Sequence, residues 1–553
     1  MTPSPSRLER KTRPSGKARA RTRARKQQSK QEQQHAQSQQ EQQQSKHQQL
    51  QQPQQHQQPK RQPKQQQAPA RRRSQTRVLF AASECVPFVK TGGLADVAGS
   101  LPTQLARLGV QIAVVLPKYS DIPAEFAASM ERIAEFYVPL SWRYEYCGVE
   151  KLVHEGITYY FLDNEHYFKR NGLYGQFDDG ERFAFFSKAV CEAIHYVPEL
   201  HVNLIHCNDW QTALIPVFLH EFYHEIPHMS AIRTVVSIHN IKFQGQMTDQ
   251  MIGDVLGLAS KPDAVRQLHC CDHAINFLQA GLCYADRILT VSPTYANEIQ
   301  IPFYGEGLDW LIRRRACITR GILNGIDIHA WDPRHDTFIP RTYSPQTLER
   351  KAYCKARLQE ELHLTCDPTA ALIVMVGRLT DQKGLGLVRY AMNDLMHRHV
   401  QIAVLGNGDA NHEEAFRYFA ATYPGRVSAT LAFNNALSHR MYAGADMFLM
   451  PSVFEPCGLS QMIAMRYGAV CIVRETGGLR DTVVPYNKFT HEGLGFSFAN
   501  INAGEMVGAV DRALELYTSD ADAWHTLQQR VMKVDFSWKT QARKYVEVYK
   551  QLC

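Results

Sequence analysis

The sequence predicts an α/β protein of two successive doubly wound halves joined by a linker and preceded by a disordered tail. Three observations predict it. Short apolar runs, such as Val78–Ala82 and Gln111–Leu116 early on and Ala371–Val376 and Met447–Met450 later, alternate with helix-length patterns, as parallel strands and their crossover helices do. Polar or glycine-rich turns follow these runs repeatedly, and open α/β sheets bind ligands at such strand ends. Residues 1–76 contain 24 Gln, 18 Lys or Arg, three Glu and no aromatic ring, too little apolar surface to offset chain entropy.

The tail also dominates the charge. Of the net +8, it supplies 18 − 3 = +15, leaving +8 − 15 = −7 for residues 77–553. A solvated low-complexity extension is the reading preferred over a nucleic-acid arm, although Arg19–Lys26 and Arg71–Arg73 would attract a polyanion weakly. No apolar stretch of 18 residues and no signal-peptide core occurs, so a cytoplasmic protein without a membrane partner is expected. The 13 cysteines are odd in number and lack zinc spacing, so reduced thiols are expected, with Cys191 and Cys471 as small core residues.

In chain order, Val78–Ala82, a glycine-bearing loop, a helix from Gly93 to about Leu108 and the strand Gln111–Leu116 form a first βαβ unit. Its loop holds Lys90, Gly92 and Gly93 just ahead of the helix, where free backbone N–H groups and the helix N-terminus suit an anion. Residues 121–180 read as strand pieces and an aromatic loop, His166–Phe177, whose exposed rings would suit a carbohydrate. Three further strands end in polar residues: Asn203–Trp210 in Asn208-Asp209-Trp210, Thr234–Gly245 in His239-Asn240, and Ile288–Ser292 in Ser-Pro-Thr-Tyr. A histidine is more often satisfied in a core than catalytic, but a strand's carboxyl end raises the functional reading of His239. Ile322–Asp327 closes this half.

Boundaries are expected at 77–332 for the first half, 333–345 for the linker, 346–536 for the second half and 537–553 for a C-terminal helix. The second half opens with a helix, Leu348–Glu361, and the strand Ala371–Val376. The turn Gly377–Gly384 then places Arg378 and Lys383 before the next helix, a planar fork and a point charge suited to a diphosphate. After Met447–Met450 come Glu455, Cys457 and Gly458 ahead of a helical run from Leu459, and after Ala469–Val473 comes Thr476-Gly477-Gly478. A carboxylate followed by exposed N–H groups at a helix start suits a sugar phosphate or sugar nucleotide.

Eight motifs occur together and in order: KTGGLADVAGSLP, HCNDW, SIHNIKFQG, VSPTYANEI, LNGID, GRLTDQKG, LSHRMYAGADMFLMPSVFEPCGLSQ and RETGGLRDTV. Through them the chain resembles bacterial glycogen synthases and plastid starch synthases, the ADP-glucose-using glycosyltransferase family five, over about residues 77–553. The resemblance implies a GT-B architecture, two Rossmann-like domains with the active site in the cleft, and a C-terminal helix that packs back on the first domain. It implies transfer of glucose from ADP-glucose to the non-reducing end of an α-1,4-glucan, with retention and no metal or other cofactor. Carried over by position, Lys90, Gly92 and Gly93 meet the diphosphate or the sugar, and Arg378 and Lys383 stabilise departing ADP. Glu455 faces the glucose, with Cys457, Gly458, Leu459 and Ser460 beside it. His239 and Asn240 lie under the reacting centre, and Asp209 and Asn324 help hold the sugar. Phe433 stands where the family has a Tyr on adenine, while Glu84 and Tyr174 match acceptor-side positions. Front-face attack and a covalent Glu455 intermediate both remain compatible with retention, as does a UDP-glucose donor or a non-catalytic homologue with the motifs. Departures from the family pattern include Gly377, Gly386 and the Phe433-Asn434-Asn435 segment, none of which removes a charge expected at the chemistry.

Overall fold

The computed structural model describes residues 76–553. The expected disordered tail, residues 1–76, lies outside the described residues except for Thr76. The first part of the described chain forms strands β1 (Arg77–Ala81), β2 (Gln111–Pro117), β3 (Glu131–Leu140), β4 (Arg143–His154), β5 (Ile157–Asp163), β6 (Leu204–Asn208) and β7 (Arg233–Ile238). It continues with β8 (Gln246–Thr248), β9 (His269–Cys271), β10 (Ala274–Asn276), β11 (Arg287–Thr290) and β12 (Thr319–Gly321). Nine of these make one sheet in the order β12-β11-β7-β6-β1-β2-β5-β4-β3, and β8, β10 and β9 make a small antiparallel one. The large sheet is parallel except for β3 and β4, which pair antiparallel at one edge.

The later part supplies β13 (Ala371–Val376), β14 (Val400–Leu405), β15 (Val427–Thr430), β16 (Met447–Met450), β17 (Val470–Arg474) and β18 (Gly495–Phe498). These six form an all-parallel sheet in the order β15-β14-β13-β16-β17-β18, whose β13 and β16 are continuous apolar runs and whose β14 is buried throughout and apolar but for Gln401. Two doubly wound sheets with helical crossovers are the architecture that the motif pattern predicts. Cys191 and Cys471 are fully buried core residues, and no cysteine is in a disulfide. No described helix is long and apolar enough to cross a membrane.

The C-terminal helix, Trp538–Leu552, returns to the first sheet. Ile326 N–H donates to Phe536 at 2.9 Å, and Gly325 lies so close that a Cβ there would meet the Trp538 backbone nitrogen at 2.7 Å. Further along, the Tyr549 hydroxyl reaches His206 Nδ1 at 2.7 Å, deep in the first sheet.

One stretch departs from the sequence reading. Within His166–Phe177, Tyr167 and Phe168 are fully buried while Phe177 and His166 are exposed, because a short helix, Glu165–Phe168, turns Tyr167 and Phe168 into the core. The long hairpin of β3 and β4 is likewise not legible as such, since its outer face carries Tyr137 and Tyr144 in place of a clean polar alternation.

Strand order positions the site. In the second sheet the order reverses at β13, between β14 and β16, so the loops after β13 and β16 bound a crevice. Arg378 and Lys383 lie in one, Glu455 in the other. In the first sheet the reversal falls at β1, between β2 and β6, and the loops there carry Glu84, Lys90 and Asp209.

Candidate active site

At the second crevice, Lys383 Nζ donates to Glu455 Oε2 at 2.6 Å, and Ser452 Oγ donates to the same oxygen at 3.0 Å. Glu455 is 5% exposed, so its charge is held by partners and not by bulk water. The two loops approach because Gly384 has φ +70°, and a Cβ there would stand 1.9 Å from the Pro451 carbonyl oxygen. Arg378, five residues before Lys383, is exposed and forms no ion pair among the described residues.

The Glu455 loop touches the first sheet's loops directly. Ser292 Oγ donates to the Pro456 carbonyl at 2.6 Å, the Asn324 N–H reaches the Cys457 sulfur, and a Cβ on Gly93 would meet Leu459 Cδ1 at 3.8 Å. Asn324 Oδ1 is buried with no partner among the described residues. Gly458 turns the chain at φ +72°, after which Ser460 opens the helix Ser460–Arg466. Phe433 lies in the loop after β15 with 81% of its surface open.

On the first sheet, Asp209 follows β6 with φ +57° and accepts N–H groups from His239, at 2.7 Å, and from Asn240. Burial, aided by the nearby Glu84 charge, outweighs those donors and raises its pKa to about 7. His239 follows β7; burial lowers its pKa to about 4, so the ring is neutral, and its Nε2 lies 2.9 Å from Asn208 Oδ1. Asn240 Oδ1 accepts the Lys242 N–H at 3.1 Å.

Two expectations change at this point. The Lys90 loop does not present all its N–H groups to an anion, because the Glu84 carboxylate accepts those of Thr91, at 2.5 Å, and Gly92, at 3.1 Å. Lys90 itself pairs with Asp96 at 2.7 Å while remaining 43% exposed along its side chain. The turn Thr476-Gly477-Gly478 is not an open ligand turn. It is buried, and the Gly477 N–H donates to both carboxylate oxygens of Glu298 at 3.0 Å. Its glycines serve close packing, since a Cβ on Gly477 would stand 1.9 Å from the Glu455 carbonyl oxygen and one on Gly478 2.1 Å from that of Cys457.

The family description "Starch synthase catalytic domain" matches residues 77–314, and "Glycosyl transferases group 1" matches residues 363–526. A glycogen synthase of Anoxybacillus flavithermus (strain DSM 21510 / WK1) is 48% identical over 476 residues, 86% of this chain and 98% of that protein. The chain belongs to the glycogen synthase family. A second member, from Geobacillus stearothermophilus, is 48% identical over 477 residues with the same shares covered. The catalytic domain of starch synthase IV from Arabidopsis thaliana, solved with ADP and acarbose, superposes with a TM-score of 0.80 at 31% identity, over 87% of this chain and 99% of that one. A sucrose-phosphate synthase of Thermosynechococcus elongatus, TM-score 0.53 at 18% identity over 86% of this chain and 99% of that one, shares the fold. As a glycogen synthase family member the chain is a hexosyltransferase with a nucleotide-sugar donor and a glucan acceptor.

Within this family framework, Tyr174 is half-buried and its hydroxyl meets Ser83 Oγ at 2.7 Å, beside Glu84. Several residues that support the site were not singled out from sequence: Ser452, Ser292, Glu298, and Asn208 beside Asp209. The Asn-Asp pair at a strand end was visible, but only tertiary neighbours reveal what Asn208 holds. Among the described residues one group, Asp381, Asp409 and His412, brings metal-ligating atoms within 4.8 Å. The bond between His412 Nε2 and Asp381 Oδ1 at 2.9 Å joins two of them, and the His412 N–H donates to the Asp409 carbonyl at 2.9 Å.

Proposed function

We propose that this protein is a glycogen (starch) synthase that passes glucose from ADP-glucose to the non-reducing end of an α-1,4-glucan with retention of configuration. The observation that carries the reading is the Lys383–Glu455 pair at the switch point of the second sheet, with Glu455 enclosed in a loop that touches the first sheet's loops. The ADP held by the Arabidopsis relative supports adenine over uracil in the donor.

In this reading Arg378 and Lys383 neutralise the leaving diphosphate, a service a divalent cation performs in other transferases. Among the described residues no carboxylate pairs with Arg378, and Lys383 reaches phosphate by swinging from Glu455. Lys90 and Gly93 add the start of the helix Gly93–Arg107, with Gly92 contributing loop geometry while its N–H is held by Glu84. Phe433 stacks on adenine. Glu455 accepts hydroxyls of the hexose, and the backbone of Cys457, Gly458, Leu459 and Ser460 serves the remaining hydroxyls and phosphate. Asn324 Oδ1, Asp209, Asn240 and His239 approach the sugar from the first sheet, and Glu84 and Tyr174 lie toward the acceptor.

Front-face attack suits this site better than a covalent intermediate. Ser452 Oγ, which stays on Glu455 Oε2 when Lys383 turns to phosphate, engages a lone pair that a nucleophilic Glu455 would need. As the bond from C1 to the phosphate oxygen breaks, the acceptor hydroxyl attacks C1 from the same face and its proton passes to that phosphate oxygen. The test is incubation of the full-length protein with ADP-glucose or UDP-glucose and a glucan primer, following nucleoside diphosphate release. Primer-dependent ADP release is expected. Faster UDP release overturns the donor assignment, and release from neither overturns the transferase reading.

A further inference from the structure

We propose that Asn208 is a positioning residue that fixes the tautomer of His239, keeping the proton on Nε2 and presenting the Nδ1 lone pair as a hydrogen-bond acceptor. This rests on the reading that His239 lies beside the transferred hexose. A neutral imidazole has one N–H and one lone pair, and which nitrogen carries which depends on its fixed partner. That partner is Asn208 Oδ1, 2.9 Å from His239 Nε2.

The amide of Asn208 has one orientation that satisfies its surroundings. Its Nδ2 donates to the Ala81 carbonyl at 2.9 Å and to the His206 carbonyl at 3.2 Å, and the residue is 1% exposed. Turning the amide over would set its oxygen against two buried carbonyl oxygens and leave its own N–H groups without those acceptors. With the oxygen directed at His239, only an N–H on Nε2 completes the contact. Nδ1 then has no proton, and a sugar hydroxyl is the kind of group it accepts from.

The support extends behind Asn208. On the same face of neighbouring strands, His206 Nε2 meets Ser237 Oγ at 2.6 Å and His206 Nδ1 meets the Tyr549 hydroxyl at 2.7 Å. His206 is itself 1% exposed, so its backbone carbonyl, which receives Asn208, belongs to a segment held on both sides. A ladder of bonds thus runs from the C-terminal helix through β6 and β7 to the ring of His239. The neighbouring Asp209 carboxyl receives the His239 backbone N–H, which fixes the main chain of the same residue and leaves the ring to Asn208.

The experiment uses the full-length protein labelled with 15N-histidine, its His239 signal identified by loss in His239→Gln. Long-range proton–nitrogen correlations should show Nε2 protonated and Nδ1 bare; a proton on Nδ1 overturns the proposal without further mutation. Asn208→Leu, which keeps the volume and removes the acceptor, should lower kcat by roughly tenfold or more with the glucan KM within about twofold, and should make the His239 nitrogens report a tautomer mixture. A folded Asn208→Leu protein with unchanged kcat, set beside an impaired His239→Gln protein, also overturns it. Unimpaired turnover in His239→Gln is a different result, which removes the catalytic reading of His239 and not the tautomer assignment.

Discussion

Lys383 and Glu455, 72 residues apart in sequence, share a 2.6 Å ion pair in which Glu455 is almost wholly enclosed and Lys383 keeps 22% of its side chain open. The geometry gives the lysine two tasks, holding the carboxylate in the resting protein and meeting phosphate when donor is bound.

Lys383→Ala is therefore expected to fail on two counts. Turnover should fall by roughly two orders of magnitude or more with glucan binding little changed. Stability should fall by about 3 kcal/mol, because Glu455 is left buried without its cation. Steady-state kinetics and urea unfolding measure the two effects, and adding Glu455→Gln should recover much of the stability and none of the activity. Near-normal turnover in Lys383→Ala would remove the leaving-group role.

Gly477→Ala is expected to damage the donor site from behind. Its φ is +42° and the new methyl would lie 1.9 Å from the Glu455 carbonyl oxygen, so the segment carrying Glu455 must shift. A loss on the order of 3 kcal/mol and a weaker donor KM follow. A variant with wild-type unfolding midpoint and donor KM would show that this packing does not position Glu455.

Gly386→Ala is expected to stabilise. Gly386 is exposed near the start of the helix Leu385–Leu395, its φ is not in the left-handed region, and a Cβ there meets nothing within 4 Å. The gain should be roughly 0.5–1 kcal/mol, from lower unfolded-chain entropy and better helix propensity. Asp at this position should add a favourable charge in the first turn. An unchanged or lower unfolding midpoint for Gly386→Ala would contradict this account.

Three buried groups set an acid limb of stability. Burial lowers His206 to about 3 and His239 to about 4, so between about pH 4 and 6.5 the unfolded chain binds a proton at each and the folded chain does not. Asp209, raised to about 7, works the other way, being protonated when folded and ionised when unfolded over the same range. The difference is two protons minus one, so stability should rise with pH by about 1.4 kcal/mol per unit across this window from these groups. Asp209→Asn removes the opposing group and should steepen the slope to about twice that. Urea midpoints measured at intervals from pH 4.5 to 6.5 check both; a slope that Asp209→Asn leaves unchanged would show that Asp209 is ionised when folded.

Much of the fold was legible because buried parallel strands write themselves as continuous apolar runs. Ala371–Val376, Met447–Met450 and Trp538–Leu552 are elements with the bounds that the residues suggest. The edge hairpin and the aromatic stretch after it were not legible, since a ring such as Tyr167 is written alike whether it points to water or to the core. Glycines were the least reliable signal. Gly92, Gly93, Gly477 and Gly478 look alike in sequence, yet the last two lie against backbone and leave no room for a ligand.

Local patterning was enough to identify the class of the protein, its buried parallel strands and the charged residues at their ends, because periodicity and motif spacing are properties of short stretches. It took the folded arrangement to show that the loops of Lys383 and Glu455 flank one crevice, that Glu84 and Glu298 occupy N–H groups otherwise open to a ligand, and that Asn208 Oδ1 faces the ring of His239. Those outcomes depend on which strands become neighbours and which donors find partners across long loops, and both are settled by the packing of residues far apart in the chain.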